Sequence, residues 1–270
     1  MNQNPEILLS GLAFPESLRW HAGALWFSDV LAGRVMRATT DGEAIEVARV
    51  SPSCSGIGWL PSGDLLVVDC ESRRILRLDD HGGLKLHSDL SSRWQFPAND
   101  MMVDPDGTAW VGSFGYAPET DAPVPSNLIQ VSPDGRPLAE VENLVFPNGM
   151  ARLDEHHFIV SETFADRLAV VNTEGRPRVV DRISLAAGST PDGLAVRADG
   201  SVWVALAYSE CVMRVDLNTG QCERAIEIPN VGVYDCVFTG PHEILVASST
   251  KDETHVLRDL PGTIMRFTLD

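Results

Sequence analysis

The chain has 270 residues, 44 % hydrophobic and 22 % charged, a globular rather than a disordered composition. A formal net charge of −17, with 21 scattered basic residues, argues against nucleic-acid or anionic-membrane partners, because the field of the whole molecule repels them. No run of about 18 apolar residues occurs, and MNQNPEILLSGLAFPES reads as no secretory signal, so a cytoplasmic location with no membrane partner is expected.

Taken in chain order, one unit recurs six times. An apolar stretch, Glu6-Ile7-Leu8-Leu9, comes first. Pro15-Glu16-Ser17 then opens a unit that continues SLRW, turns, and runs through LWFSDV to RVMRAT. Cys54-Ser55-Gly56 leads into GIGWLPSGDLLVVD and RILRLD; Ala98-Asn99-Asp100 leads into DMMVDPDGTAWVGS and LIQVSP. Pro147-Asn148-Gly149 is followed by GMARLDEHHFIVSE and RLAVVN, and Pro191-Asp192-Gly193 by GLAVRADGSVWVAL and CVMRVD. Tyr234-Asp235-Cys236 begins the last unit, CVFTGPHEILVASS and TIMRFT. The turns carry Asp-Gly hairpin chemistry, and the segments after them are short, β-branched and aromatic.

The central residues of the six tripeptides stand 39, 44, 49, 44 and 43 positions apart. Units of about 40–50 residues built from four short strands predict an all-β fold, a six-bladed β-propeller spanning residues 1–270 as one domain. The sixth unit ends on its third strand, so the stretch around Glu6–Leu9 is predicted to supply the fourth and close the ring. The longest irregular insertion, Ser113 to Pro125, explains the 49-residue spacing and is expected to form a rim over a site, with Phe114 and Tyr116 facing substrate.

In a propeller the starts of the innermost strands converge on the axis. Glu16, Ser55, Asn99, Asn148, Asp192 and Asp235 are therefore predicted to gather there. Five of the six are carboxylates or carboxamides, oxygen donors suited to one divalent cation: calcium first, with magnesium, manganese and zinc compatible. Asp and Asn also start strands for local backbone reasons, but five at one repeat position point to a site. Five cysteines, at 54, 70, 211, 222 and 236, show no CxxC spacing and read as reduced thiols. No GxSxG elbow, Cys–His pairing or histidine metal spacing is present.

The motifs FPES with LWFSD, AND with MMVDPDG and AWVGS, FPNGM with FIVSET, and TPDGLAVRADGSVWVA resemble the gluconolactonase, regucalcin (senescence marker protein) and luciferin-regenerating-enzyme family, from about residue 11 onward. The resemblance implies that Glu16, Asn148 and Asp192 bind the metal, that Asp192 is a candidate general base, and that Asn99 and Asp100 lie near metal and substrate. Sugar-lactone hydrolases of the family carry an Arg two residues before that Asn; this chain has Pro97 there.

Together these readings predict a metal-dependent hydrolase that opens a lactone less polar than gluconolactone. The metal would polarise the carbonyl and lower the pKa of a bound water. Asp192 would take the water proton, with Asp100 as the alternative catalytic base. Asn99, Asp100, Phe114 and Tyr116 would bind substrate. A calcium-binding scaffold without catalysis, and an isomerase or hydratase on the same metal, are the competing readings. The sequence leaves oligomeric state open.

Overall fold

The computed structural model describes residues 5–79, 82–117 and 120–269. Six four-stranded antiparallel sheets are arranged as a six-bladed β-propeller. In the first blade the chain runs outward through Pro15–His21, Ala24–Asp29, Arg34–Ala38 and Ala44–Arg49. The other innermost strands are Cys54–Trp59, Ala98–Val103, Pro147–Arg152, Pro191–Val196 and Gly232–Gly240. Second strands such as Leu65–Asp69 and Val202–Leu206 are buried at every position, because sheets cover both their faces. Outer strands such as Ala44–Arg49 are mostly exposed, and their sequence is correspondingly polar.

The core lies between neighbouring blades. Trp110 and Leu128 of the third blade pack against Met150, Phe158 and Val160 of the fourth. The Trp110 and Phe158 rings sit 5.0 Å apart at 47°. Closure follows the expectation from the N-terminal stretch. Glu6–Leu12 pairs antiparallel with Gly262–Thr268, with Ile7 opposite Met265 and Leu12 opposite Gly262. Leu9 and Leu12 are buried against Phe27, Leu245 and Ile264, so the outermost strand of the last blade joins the two ends of the chain. A short helix, Val256–Asp259, lies in the loop before Gly262–Thr268. No helix among the described residues is long and apolar enough to cross a membrane.

Each innermost strand is kinked near its start. The pairing register shifts between Glu16 and Arg19, Cys54 and Ile57, Ala98 and Met101, Pro147 and Met150, and Pro191 and Leu194. In the sixth strand the shift falls between Val233 and Asp235. A bulge re-aims side chains, which is how residues at one repeat position turn toward the axis. The backbones crowd there. A Cβ on Gly149 would lie 2.6 Å from the Asp192 carbonyl oxygen and 2.6 Å from Gly193 Cα, so the residue after Asn148 has to be glycine.

Candidate functional site

Three acidic side chains fix the backbone just ahead of the metal-ligand candidates. Asp29 accepts from the amides of Ala13 at 3.0 Å and Phe14 at 2.7 Å, ahead of Glu16, and pairs with Arg34. The fully buried carboxylate of Glu162 accepts from the Val145 amide at 2.9 Å, ahead of Asn148, and from Arg167 and Arg182. Asp166 accepts from the Thr190 amide at 2.8 Å, ahead of Asp192. Phe146 and Thr190, each followed by proline, adopt left-handed φ values of 50° and 46°. Such conformations cost of order 1–3 kcal/mol for non-glycine residues and cluster where a surrounding scaffold holds a site in place.

These strands deliver Glu16, Ser55, Asn99, Asn148 and Asp192 to one cavity of about 230 Å³ at an end of the axis. Asp192, Asn99 and Asn148 are buried; Glu16 is partly exposed, and the cavity is what it opens on. Neither the Glu16 nor the Asp192 carboxylate has a hydrogen-bond or ion-pair partner among the described residues. The carboxamide nitrogen of Asn148 donates to Thr163 Oγ1 at 3.3 Å and that of Asn99 to the Pro147 carbonyl at 3.4 Å, leaving both amide oxygens as free acceptors. The Ser55 hydroxyl is buried without a partner.

Burial pushes Glu16 well above the usual carboxylate range, with Asp192, Asp100, Asp235 and Glu253 adding like charge. Asp192 is raised for the same reasons: burial first, then Asp235, Asp100 and Glu253. Among the described residues, no arginine, lysine or histidine lines the cavity to offset this charge. Two partnerless carboxylates flanked by amide oxygens form a hard-oxygen donor set that fits a divalent cation. The set is mixed; no cluster of three His, Cys, Asp or Glu side chains with metal-ligand placement occurs among the described residues.

Asp100 and Asp235 are placed differently. Asp100 does not line the cavity. It accepts from Ser17 Oγ at 3.0 Å, Arg19 Nη2 at 3.0 Å and its neighbour Met101 N at 2.8 Å. Asp235 accepts from the amides of Leu18 at 2.5 Å and Cys236 at 2.7 Å, with Arg19 3.9 Å away. Burial lifts Asp235 to about 7 despite the opposing pull of Arg19. Arg19, three residues beyond Glu16 on the same strand, thus engages Asp235, which the repeat places among the axial residues, and Asp100, the alternative candidate base. Its presence inside an innermost strand was the available signal.

Phe114 lines the cavity, as expected of the insertion after Ser113. Tyr116 does not face it: the residue is 2 % exposed and packs behind Phe146 and Phe164, because the loop folds inward at Gly115 onto those rings. Pro118 and Glu119 of that insertion lie outside the described residues. Pro97 lines the cavity, beside aromatic residues that the repeat did not single out: Phe14, Phe146, Phe164, Tyr208 and Tyr234. Glu71 and Glu253, both exposed, complete its rim.

Residues 14–250 match the SMP-30/Gluconolactonase/LRE-like region. The chain belongs to the SMP-30/gluconolactonase family. Within this family setting, the chain is 23 % identical to regucalcin of Xenopus laevis over 228 residues, 81 % of this chain and 76 % of the relative. It is 25 % identical to a pentonolactonase of Haloferax volcanii over 230 residues, 82 % of this chain and 76 % of the relative. Its fold superposes on that of a luciferin-regenerating enzyme with a TM-score of 0.82 at 18 % identity, covering 98 % of this chain and 95 % of the other.

Proposed function

We propose that this family member is a divalent-cation-dependent lactonase, acting in the cytoplasm on a small lactone less polar than gluconolactone. The observation that carries the reading is the pair of partnerless carboxylates, Glu16 and Asp192, set with the Asn148 oxygen in a cavity that aromatic side chains also line. The relative named a pentonolactonase supports the reaction class. Glu16, Asn148 and Asp192 would hold the cation, with calcium the best match to an all-oxygen donor set. A cation held there supplies Lewis acidity toward the lactone carbonyl.

The chain's own groups do the rest. Asp192 is the proposed base: its carboxylate lines the cavity with no hydrogen-bond donor among the described residues occupying its oxygens, so in its ionised form it can draw a proton from water. Asp100 is the weaker candidate, since Arg19, Ser17 and the Met101 amide already occupy its oxygens. The water oxygen bonds to the carbonyl carbon, the ring C–O bond breaks, and the proton passes to the departing alkoxide, giving a hydroxy acid. Asn99, buried and lining the cavity, would meet polar substrate atoms, and Phe114 its apolar part.

Pro97 and the phenylalanines present no donor to sugar hydroxyls. Each hydroxyl desolvated against them without a partner costs about 1–3 kcal/mol. The test is kcat/KM for δ-gluconolactone beside an alkyl δ-lactone, with calcium and with chelator, corrected for spontaneous hydrolysis. The alkyl lactone should be preferred and chelator should abolish turnover. A tenfold preference for gluconolactone would overturn the substrate assignment, and full activity in chelator would overturn the cation.

A further inference from the structure

We infer that Phe114, Phe146 and Phe164 form a specificity wall that selects a lactone carrying a planar aromatic ring, an inference that rests on the lactonase reading above. The three residues come from separate places: the loop after the third blade's second strand, the residue before the fourth blade's innermost strand, and the turn after its second strand. All three line the cavity. Phe114 stacks on Phe146, with centroids 4.5 Å apart at 27°, and Phe164 meets Phe146 edge-on at 4.9 Å and 82°. Tyr116 backs both Phe146 and Phe164 edge-on, at 6.0 and 6.1 Å.

The arrangement is stiffer and more directional than a greasy wall requires. Phe146 is buried between its neighbours and held in a left-handed backbone conformation, whereas Phe114 and Phe164 remain partly exposed. Their ring surface is what the cavity offers a ligand. Across the cavity, Phe14 and Tyr234 pack at 4.3 Å, tilted 45° to each other, so aromatic groups bound it on two sides. Aromatic rings favour aromatic partners in offset-stacked or edge-on geometry beyond the gain from area alone, a preference that a puckered aliphatic ring cannot use. At about 230 Å³ the cavity is smaller than pockets for drug-sized ligands, roughly 300–1,000 Å³, which suits a lactone bearing a single ring.

The experiment compares δ-phenyl-δ-valerolactone with δ-cyclohexyl-δ-valerolactone, which share ester reactivity and size and differ in planarity and π-character. The full chain with calcium should favour the phenyl compound by about three- to tenfold in kcat/KM. In Phe164→Leu and in Phe114→Leu, each measured as the ratio within that variant so that general losses cancel, the preference should fall toward one. A cyclohexyl preference in the unaltered chain, or a phenyl preference that survives both substitutions, would overturn the inference. If neither lactone is opened, the lactonase reading fails. The wall is then judged by calorimetric binding of the two corresponding unreactive lactams, where equal affinities, or no binding, would overturn it and a phenyl preference lost in Phe164→Leu would uphold it.

Discussion

Stripping the cation and raising the pH from about 5 to about 7 should destabilise this protein, against the usual trend for acidic proteins leaving their acid-denaturation range. Glu16, Asp192 and Asp235 all hold protons more tightly when folded. Between the ordinary carboxylate value and the raised one, the folded chain therefore binds protons that the unfolded chain has released, and stability falls as pH rises through that window. Asp235, 2 % exposed, has its pKa moved from 3.8 to about 7. At about 1.4 kcal/mol per pH unit, and half ionised by pH 7, it alone removes about 2 kcal/mol between pH 5 and 7. That corresponds to roughly 4–8 °C in Tm for a chain of this size, and Glu16 and Asp192 act in the same direction.

Other groups do not mimic this trend. Surface carboxylates whose pKa is lowered by hydrogen bonds, such as Asp154 and Asp199, complete their contribution below about pH 5. His87, lowered by burial, works with the opposite sign below its usual 6.5. Calorimetry in chelator and high salt isolates the buried groups, because salt screens the surface part of the −17 charge and leaves the interior nearly unaffected. Added calcium should flatten the slope by holding Glu16 and Asp192 ionised. A Tm in chelator that is constant or rises from pH 5 to 7 would refute the reasoning.

Replacing Glu16, Asn148 or Asp192 by alanine should each weaken calcium binding by at least about tenfold in titration calorimetry, with the propeller's circular dichroism retained, since loss even of outer-shell partners costs 10–100-fold. Gly149→Ala forces a methyl against the Asp192 backbone, so it should cost about 1–3 kcal/mol in denaturant unfolding and weaken calcium binding as well. Deleting residues 1–12 removes the strand paired with Gly262–Thr268 and exposes its edge; scattering should detect aggregation together with a lower Tm. Pro97→Arg should raise kcat/KM for gluconolactone relative to an alkyl lactone by about tenfold, by supplying the donor that the wall lacks.

The blades, their number and the closing strand were legible in the chain itself. Hairpin turns and β-branched runs such as LLVVD and VWVAL encode strands locally, and repetition at 39–49 residues leaves few architectures open. The convergence of Glu16, Ser55, Asn99, Asn148 and Asp192 on one cavity was legible too, because equivalent positions in a radial repeat converge whatever the loops do. Tertiary structure decided what the repeat could not. Arg19 draws Asp100 and Asp235 aside from the cavity, a matter of two charges meeting across 81 residues and more rather than of local pattern. Tyr116 turns behind Phe146 and Phe164, and those two rings become the wall, because the path of irregular loops is set by packing against other blades and leaves no periodic trace in sequence.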